Sequence, residues 1–189
     1  NHNQDVGLFG DPPKSSQTLQ ISSDHPVSRR ILAGSEPGVF PLRPAYDEKR
    51  KRHKQMITID EVRKLKSFFG LSSTEAGRRI VIVDCAEDMN PSAANALLKI
   101  LEEPPKNAFL FLISHQPARL LPTIRSRCRE LRLSRLNKPS MVQALEAADI
   151  HFDTSQQDAL TKLSGGSIGE AVRILNMQGL PLYQSIIDI

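Results

Sequence analysis

The chain has 189 residues, 39% hydrophobic and 24% charged, an ordinary globular composition for one domain or one domain with a small companion. No apolar run approaches the ~20 residues of a membrane-spanning helix, and the polar start "NHNQDVGLFGDPPKSSQ" carries no signal-peptide pattern. The net charge of +4 suits an anionic partner without selecting one.

The chain opens on Asn1 rather than methionine, and we read it as a piece of a longer protein. Its two cysteines, Cys85 and Cys128, lie too far apart for a CxxC metal site, and its five histidines show no HExxH spacing. No metal is expected. Two separated cysteines suit a reducing cytoplasm.

Residues 1–45 are rich in Pro, Gly, Ser and Asn, an irregular stretch with one helix expected near "HPVSRRILAG" and stopped by Gly34. The basic run "YDEKRKRHK", residues 46–54, reads either as a solvated loop or strand edge, or as a phosphate-facing patch. Ile57 and Ile59 alternate with Thr58 as a short strand. Asp60 is placed to cap the helix that follows, where Val62, Leu65, Phe68 and Phe69 recur at helical spacing up to Gly70.

Ile80–Val83 is a continuous β-branched run, the pattern of a parallel strand covered on both faces, and it ends in Asp84. Asn90 before Pro91 marks a helix start. Ala94, Leu97, Leu98 and Leu101 then form one stripe, and Pro104 and Pro105 end it. "AFLFLIS", residues 108–114, predicts a second buried strand, "ARLLPTI" a short helix broken near Pro122, and "RELRL" a third strand. Strands and helices alternating in this way predict an α/β domain with a parallel sheet over residues 1–137. From residue 138, "KPSMVQALEAAD", "SQQDALTKLS" and "SIGEAVRILN" carry helical patterns and no β signal, with Gly165 and Gly166 between the last two. Residues 138–189 are expected to form a small helical lid domain.

An apolar strand ending in Asp84 has the form of a Walker B element, whose carboxylate orients Mg²⁺ and water beside a nucleotide. In a working ATPase of this type an acidic residue follows. Here Cys85 follows, and an ordinary thiol is protonated at neutral pH. The phosphate-cradling pattern GxxxxGK[ST] does not occur in the chain. Two arginines, Arg125 and Arg127, flank Ser126 just before Cys128. They are either solvated residues leading into the expected strand or are aimed at something anionic.

The stretch "NPSAANALLKILEEPPKNAFLFLISHQPARLLPTIRSRC" resembles the signature of bacterial sliding-clamp loaders of the AAA+ class, a branch of the P-loop NTPase-like folds. The likeness spans residues 57–135, and within that family "ITIDEVRKL" and "LLPTIRSRC" are most similar to the delta-prime type of DNA polymerase III subunit. The resemblance implies that Ser126, Arg127 and Cys128 match the SRC motif, with Arg127 a finger reaching the ATP of a neighbouring subunit and Arg125 supporting the loop. It places Asp84 on the Walker B aspartate and Ser114 near the sensor 1 position of a vestigial nucleotide site. In the segment "GGSIGEAVRIL", Gly169 holds the place of the sensor 2 arginine. The missing phosphate loop, Cys85 and Gly169 together imply a subunit that hydrolyses nothing and binds no cofactor itself, while the neighbour binds ATP and Mg²⁺. The family's four-cysteine zinc module is not expected, because residues 1–56 contain no cysteine.

The implied partners are gamma/tau and delta subunits in a hetero-pentamer, the sliding clamp and primer–template DNA, within the DNA polymerase III holoenzyme. Helix N-termini, with Arg63, Lys64 and Ser92 nearby, are candidates for DNA phosphates or, on the plainer reading, face solvent or another subunit. A gamma/tau-type ATPase motor is the alternative reading. A general basic DNA-binding module ranks last, since it leaves "LEEPP" and the SRC placement unexplained.

Overall fold

The computed structural model describes residues 21–70 and 78–187; residues 1–20 of the stretch expected to be irregular lie outside the described residues. Contacts divide the chain into two compact units, Asn1–Glu130 and Leu131–Ile189.

In the first unit, helix α1 (Pro26–Leu32) forms where its sequence predicts. The His25 ring accepts from the Val27 amide, Pro26 opens the helix, and Gly34 follows its end at φ 66°. Strand β1 (Val39–Leu42) comes next, then a hairpin of β2 (Tyr46–Asp47) and β3 (Arg52–His53). Helix α2 (Ile59–Gly70), strand β4 (Arg79–Val83), helix α3 (Pro91–Glu102), strand β5 (Ala108–Leu112) and the short helix α4 (Pro122–Arg125) complete the unit.

The sheet is parallel, ordered β1-β4-β5, and the β-branched run of β4 is its middle strand. Val39 to Leu42 pair with Ile80 to Val83, and Arg79 to Val83 pair with Ala108 to Leu112. Val81 and Val83 are fully buried and share one core with Leu42, Ile57, Val62, Leu65, Phe68 and Leu97. This is the parallel α/β arrangement the sequence predicts, with three differences in its strands.

Strand β1 was not expected, because residues 1–45 read as irregular with a single helix. It contains Pro41, which cannot donate to a ladder but is tolerated because β1 lies at the edge of the sheet formed by the described residues. Strand β5 is covered on one face only: Leu110 and Leu112 are half-buried, while Phe109 and Phe111 are exposed. The strand expected at "RELRL" does not form. Residues 129–137 have no regular structure, and Leu131 and Leu133 stand 82% and 87% exposed. Alternation supplies a strand face, but a strand also needs a neighbour for its ladder, and these residues pair with none of the described strands.

Two expectations near α2 also change. Ile57 makes one parallel bridge, to Met89, and Ile59 already belongs to the helix. Asp60 is not the cap. Thr58 takes that place: its carbonyl accepts from the Val62 amide at 3.4 Å, while the Glu61 carboxylate accepts the Thr58 amide at 2.8 Å and also its hydroxyl. This is a capping-box arrangement, in which the acid three residues on satisfies the cap's own N–H. Burial works against the charge on Glu61, but the Thr58 hydroxyl and amide overcome it and hold its pKa below the ordinary carboxylate value.

The second unit is all helical: α5 (Lys138–Ala147), α6 (Gln157–Leu163), α7 (Ile168–Asn176) and α8 (Gly179–Ile187). Helix α8 adds a fourth to the three patterns in the sequence. Met141, Leu145, Leu160, Ala171 and Leu180 form its core. Gly166, at φ 77°, closes the turn before α7; a Cβ there would meet the Leu136 carbonyl oxygen at 2.7 Å, where the Leu136 amide donates back to Gly166. Among the described residues no helix is long and apolar enough to cross a membrane, and no group of three or more His, Cys, Asp or Glu is placed to hold a metal.

Candidate functional site

The carboxyl edge of the sheet brings the first pair of candidates together. Asp84 follows β4 and Ser114 lies just past β5, on adjacent parallel strands. The backbone ties these ends: the Ile113 amide donates to Val83 O at 3.0 Å and the Ala86 amide to Ile113 O at 2.8 Å. In open α/β sheets this edge is where ligands bind. Asp84 is exposed, free to meet solvent or a ligand.

Cys85 donates its S–H to Asp84 Oδ1 at 3.4 Å. Burial, then the hydrogen bond and charge of Asp84, push its thiol pKa up to about 11. It is therefore a neutral thiol at physiological pH and no base for water.

Sequence reading missed Glu87, which joins the two strand ends. Its Oε1 accepts from the His115 amide at 2.9 Å and the Gln116 amide at 3.2 Å. Burial alone would raise its pKa, but these donors, with its own amide and the Ser114 hydroxyl, hold it below the ordinary value. No motif in the sequence points to this role, since the partners lie on the far strand. Beside Glu87, a cleft of about 210 Å³ opens between the start of α3 and residues 119–124.

The arginine segment sits elsewhere. Pro122 opens α4, Ile124 anchors it as a buried residue, and Ser126 and Arg127 form the turn that follows. The Ser126 hydroxyl donates to Thr123 O at 3.2 Å, and Arg127 Nη1 donates to the same carbonyl at 2.9 Å. Arg127 Nη2 lies 2.7 Å from Glu102 Oε1, with side chains 36% and 48% exposed. Glu102, the first of the two acids of "LEEPP", is the last residue of α3. The guanidinium is thus held by its own chain yet open to solvent. Cys128 is partly buried, which raises its thiol pKa and suits a packing role. Arg125 is exposed.

Arg127 and Asp84 therefore stand at opposite ends of α3. The turn carrying Asp84 to Glu87 runs into the first residue of the helix, and Arg127 is held at its last. A helix of 12 residues is ~18 Å long.

A third neighbourhood gathers the expected phosphate contacts. The Ile57–Met89 bridge, with the Ile57 amide donating to Asp88 O at 2.8 Å and the Asn90 amide to Ile57 O at 3.0 Å, sets the first turn of α2 beside that of α3. Asn90 Oδ1 caps α3 by accepting from the Ala93 amide at 2.8 Å. Ser92 is exposed on the first turn of α3 and Arg63 and Lys64 on the second turn of α2, and Arg63 pairs with Asp60 at 3.1 Å. In the second unit, Gly169 is exposed in the first turn of α7, and an added Cβ would meet nothing within 4 Å. Space does not forbid an arginine there.

A family described as "DNA polymerase III, delta subunit" matches residues 14–137. The chain belongs to that family. The DNA polymerase III subunit delta' of Pseudomonas aeruginosa is 40% identical over 144 residues, covering 76% of this chain and 42% of that protein. The subunit delta' of Escherichia coli is 36% identical over 147 residues, covering 76% and 41%. The subunit gamma/tau of Mycobacterium tuberculosis is 30% identical over 123 residues, covering 62% and 21%. Among solved structures, a DNA polymerase III gamma subunit-related protein of Thermotoga maritima superposes with a TM-score of 0.54 and 29% identity, covering 73% of this chain and 43% of that one. The family match and these relatives bear out the delta-prime resemblance of residues 57–135 and the AAA+-type α/β domain followed by helices. The chain spans about two fifths of the length of the delta' relatives it matches.

Proposed function

We propose that this chain acts as a clamp-loader subunit of DNA polymerase III that hydrolyses nothing itself and lends Arg127 to the ATP of a neighbouring subunit. One observation carries the reading: Arg127 is solvent-accessible on the turn after α4, at the opposite end of α3 from its own chain's Asp84. A group so placed is suited to serve a site on another protomer rather than the edge of its own sheet. A guanidinium is permanently charged, and its planar fork matches the charge that spreads over a transferring phosphoryl group.

The rest of the chain fits a site emptied of its own catalysis. Cys85 is a neutral thiol where an acid would activate water, and in the segment that resembles sensor 2 Gly169 holds the arginine's place in the sequence. On this reading the chain binds no cofactor, and the neighbour holds ATP and Mg²⁺. The partners are gamma/tau and delta subunits of a hetero-pentamer, the clamp and primer–template DNA, in the cytoplasm. The paired first turns of α2 and α3, with Arg63, Lys64 and Ser92, form the surface offered to DNA phosphates.

Likeness to gamma/tau subunits supports a second reading, an ATPase motor of the same complex. The two separate in a nucleotide-binding assay: the motor binds ATP tightly and turns it over, whereas the finger donor does neither. Reconstitution with the ATPase subunits, comparing wild type with Arg127→Ala, tests the first reading directly.

A further inference from the structure

The cleft between the start of α3 and residues 119–124 takes no part in the roles above. Its lining is apolar and graded: Ala86, Ala94 and Ile124 are buried, Met89 and Leu120 half-buried, and Leu121 exposed. At about 210 Å³ it is smaller than the ~300–1,000 Å³ of sites that enclose a whole small molecule, and it suits one large apolar side chain.

Two ionisable groups border the cleft, and only one is free to reach a guest. Glu87 spends its Oε1 on the His115 and Gln116 amides, and its Oε2 is buried. Arg119 is exposed. Its Nη1 donates to Gln116 Oε1 at 3.4 Å, and among the described residues no carboxylate pairs with it. The first turn of α3, from Pro91 to Ala94, also borders the cleft and adds the partial positive charge of a helix start. A guest carboxylate is therefore favoured at the mouth, beside the apolar recess. An apolar recess with a charged rim is the arrangement by which a protein interface receives an anchoring side chain. Ile124 lies three residues before Arg127, on the surface proposed above to face a neighbouring subunit, so a protein guest is at hand.

We propose that this cleft is a docking pocket for one leucine-sized side chain of a partner protein, with an adjacent Asp or Glu of that partner paired to Arg119. The choice of a protein guest rests on the role proposed for Arg127. The test uses neither ATP nor a second subunit, so the two can fail separately.

The experiment is a methyl NMR titration of the full chain with three capped dipeptides: acetyl-Leu-Asp-amide, acetyl-Leu-Asn-amide and acetyl-Gly-Asp-amide. Leu-Asp shifts the methyl signals of Ala86, Ala94 and Ile124 to saturation and binds about two- to five-fold more tightly than Leu-Asn, the worth of an exposed ion pair. Gly-Asp shifts none of them. Arg119→Ala removes the preference for Leu-Asp and leaves Leu-Asn binding unchanged. Ala94→Leu fills the cleft and abolishes the saturable shifts. Should that variant fail to fold, Leu121→Ser, at an exposed position, weakens Leu-Asp binding by at least about five-fold instead. No saturable shift with Leu-Asp, equal binding of Leu-Asp and Leu-Asn, a preference that survives Arg119→Ala, or the same methyls responding to a DNA oligonucleotide and not to Leu-Asp overturns the proposal.

Discussion

Arg127 Nη2 and Glu102 Oε1 form an ion pair at 2.7 Å that joins the turn after α4 to the last residue of α3. Both side chains are more than a third exposed, so the pair contributes only ~0–1 kcal/mol in water. That is weak enough for a neighbour's triphosphate to take the guanidinium over.

Glu102→Gln keeps the shape of the side chain and removes the competing charge. In the reconstituted complex it raises DNA-stimulated ATPase by up to about five-fold, the equivalent of ~1 kcal/mol, with the melting temperature nearly unchanged. A fall in ATPase of the size expected for Arg127→Ala would instead assign Glu102 to holding the finger in its working place.

The capping box gives a pH signature. Glu61 has a folded pKa below its ordinary 4.5, so its contribution to stability is present above that value and is lost as pH falls through the folded pKa. Urea denaturation of wild type and Glu61→Gln differs near neutral pH, and the difference closes only as the pH falls below 4.5 and through the folded pKa. Thr58→Ala costs about 0.5–2 kcal/mol, whereas Asp60→Ala, inside the helix and exposed, costs less.

The thiol of Cys85, held up to about 11, alkylates slowly until strongly basic pH. At pH 9 its thiolate fraction is about 1%, against a majority for an unperturbed cysteine. Iodoacetamide labelling with mass spectrometry across pH 7–11 reads this for Cys85, and half-labelling near pH 8.5 would contradict the environment described.

Packing predicts a sharp contrast between two leucines. Leu97 is 0% exposed in the first core, and Leu97→Ala costs about 2–5 kcal/mol. Leu131, which the alternating pattern placed in a strand, is 82% exposed, and Leu131→Ala stays within about 0.5 kcal/mol. Paired thermal melts of the two variants check both values.

The elements with strong local signals were legible. The β-branched run became β4, the Asn90–Pro91 start and apolar stripe became α3, and the periodic positions Val62, Leu65 and Phe68 became the buried face of α2. Strand β1 was hidden by Pro41, a residue that marks a breaker until the sheet edge makes it harmless. "RELRL" failed in the opposite way: a strand period is visible locally, but its missing partner is not. At the site, the Ser126–Arg127–Cys128 turn could be read as a motif. Its ion pair with Glu102, and the Glu87 link between strand ends, arise from residues brought together by the fold and leave no local trace.

The central claim is tested most directly by the DNA-stimulated ATPase of the reconstituted complex carrying Arg127→Ala in this subunit alone. Hydrolysis at the adjoining site falls by about 10³–10⁵, while the variant folds and the ring assembles, since the residue is exposed and its ion pair weak. Unchanged hydrolysis with normal clamp loading would contradict the finger.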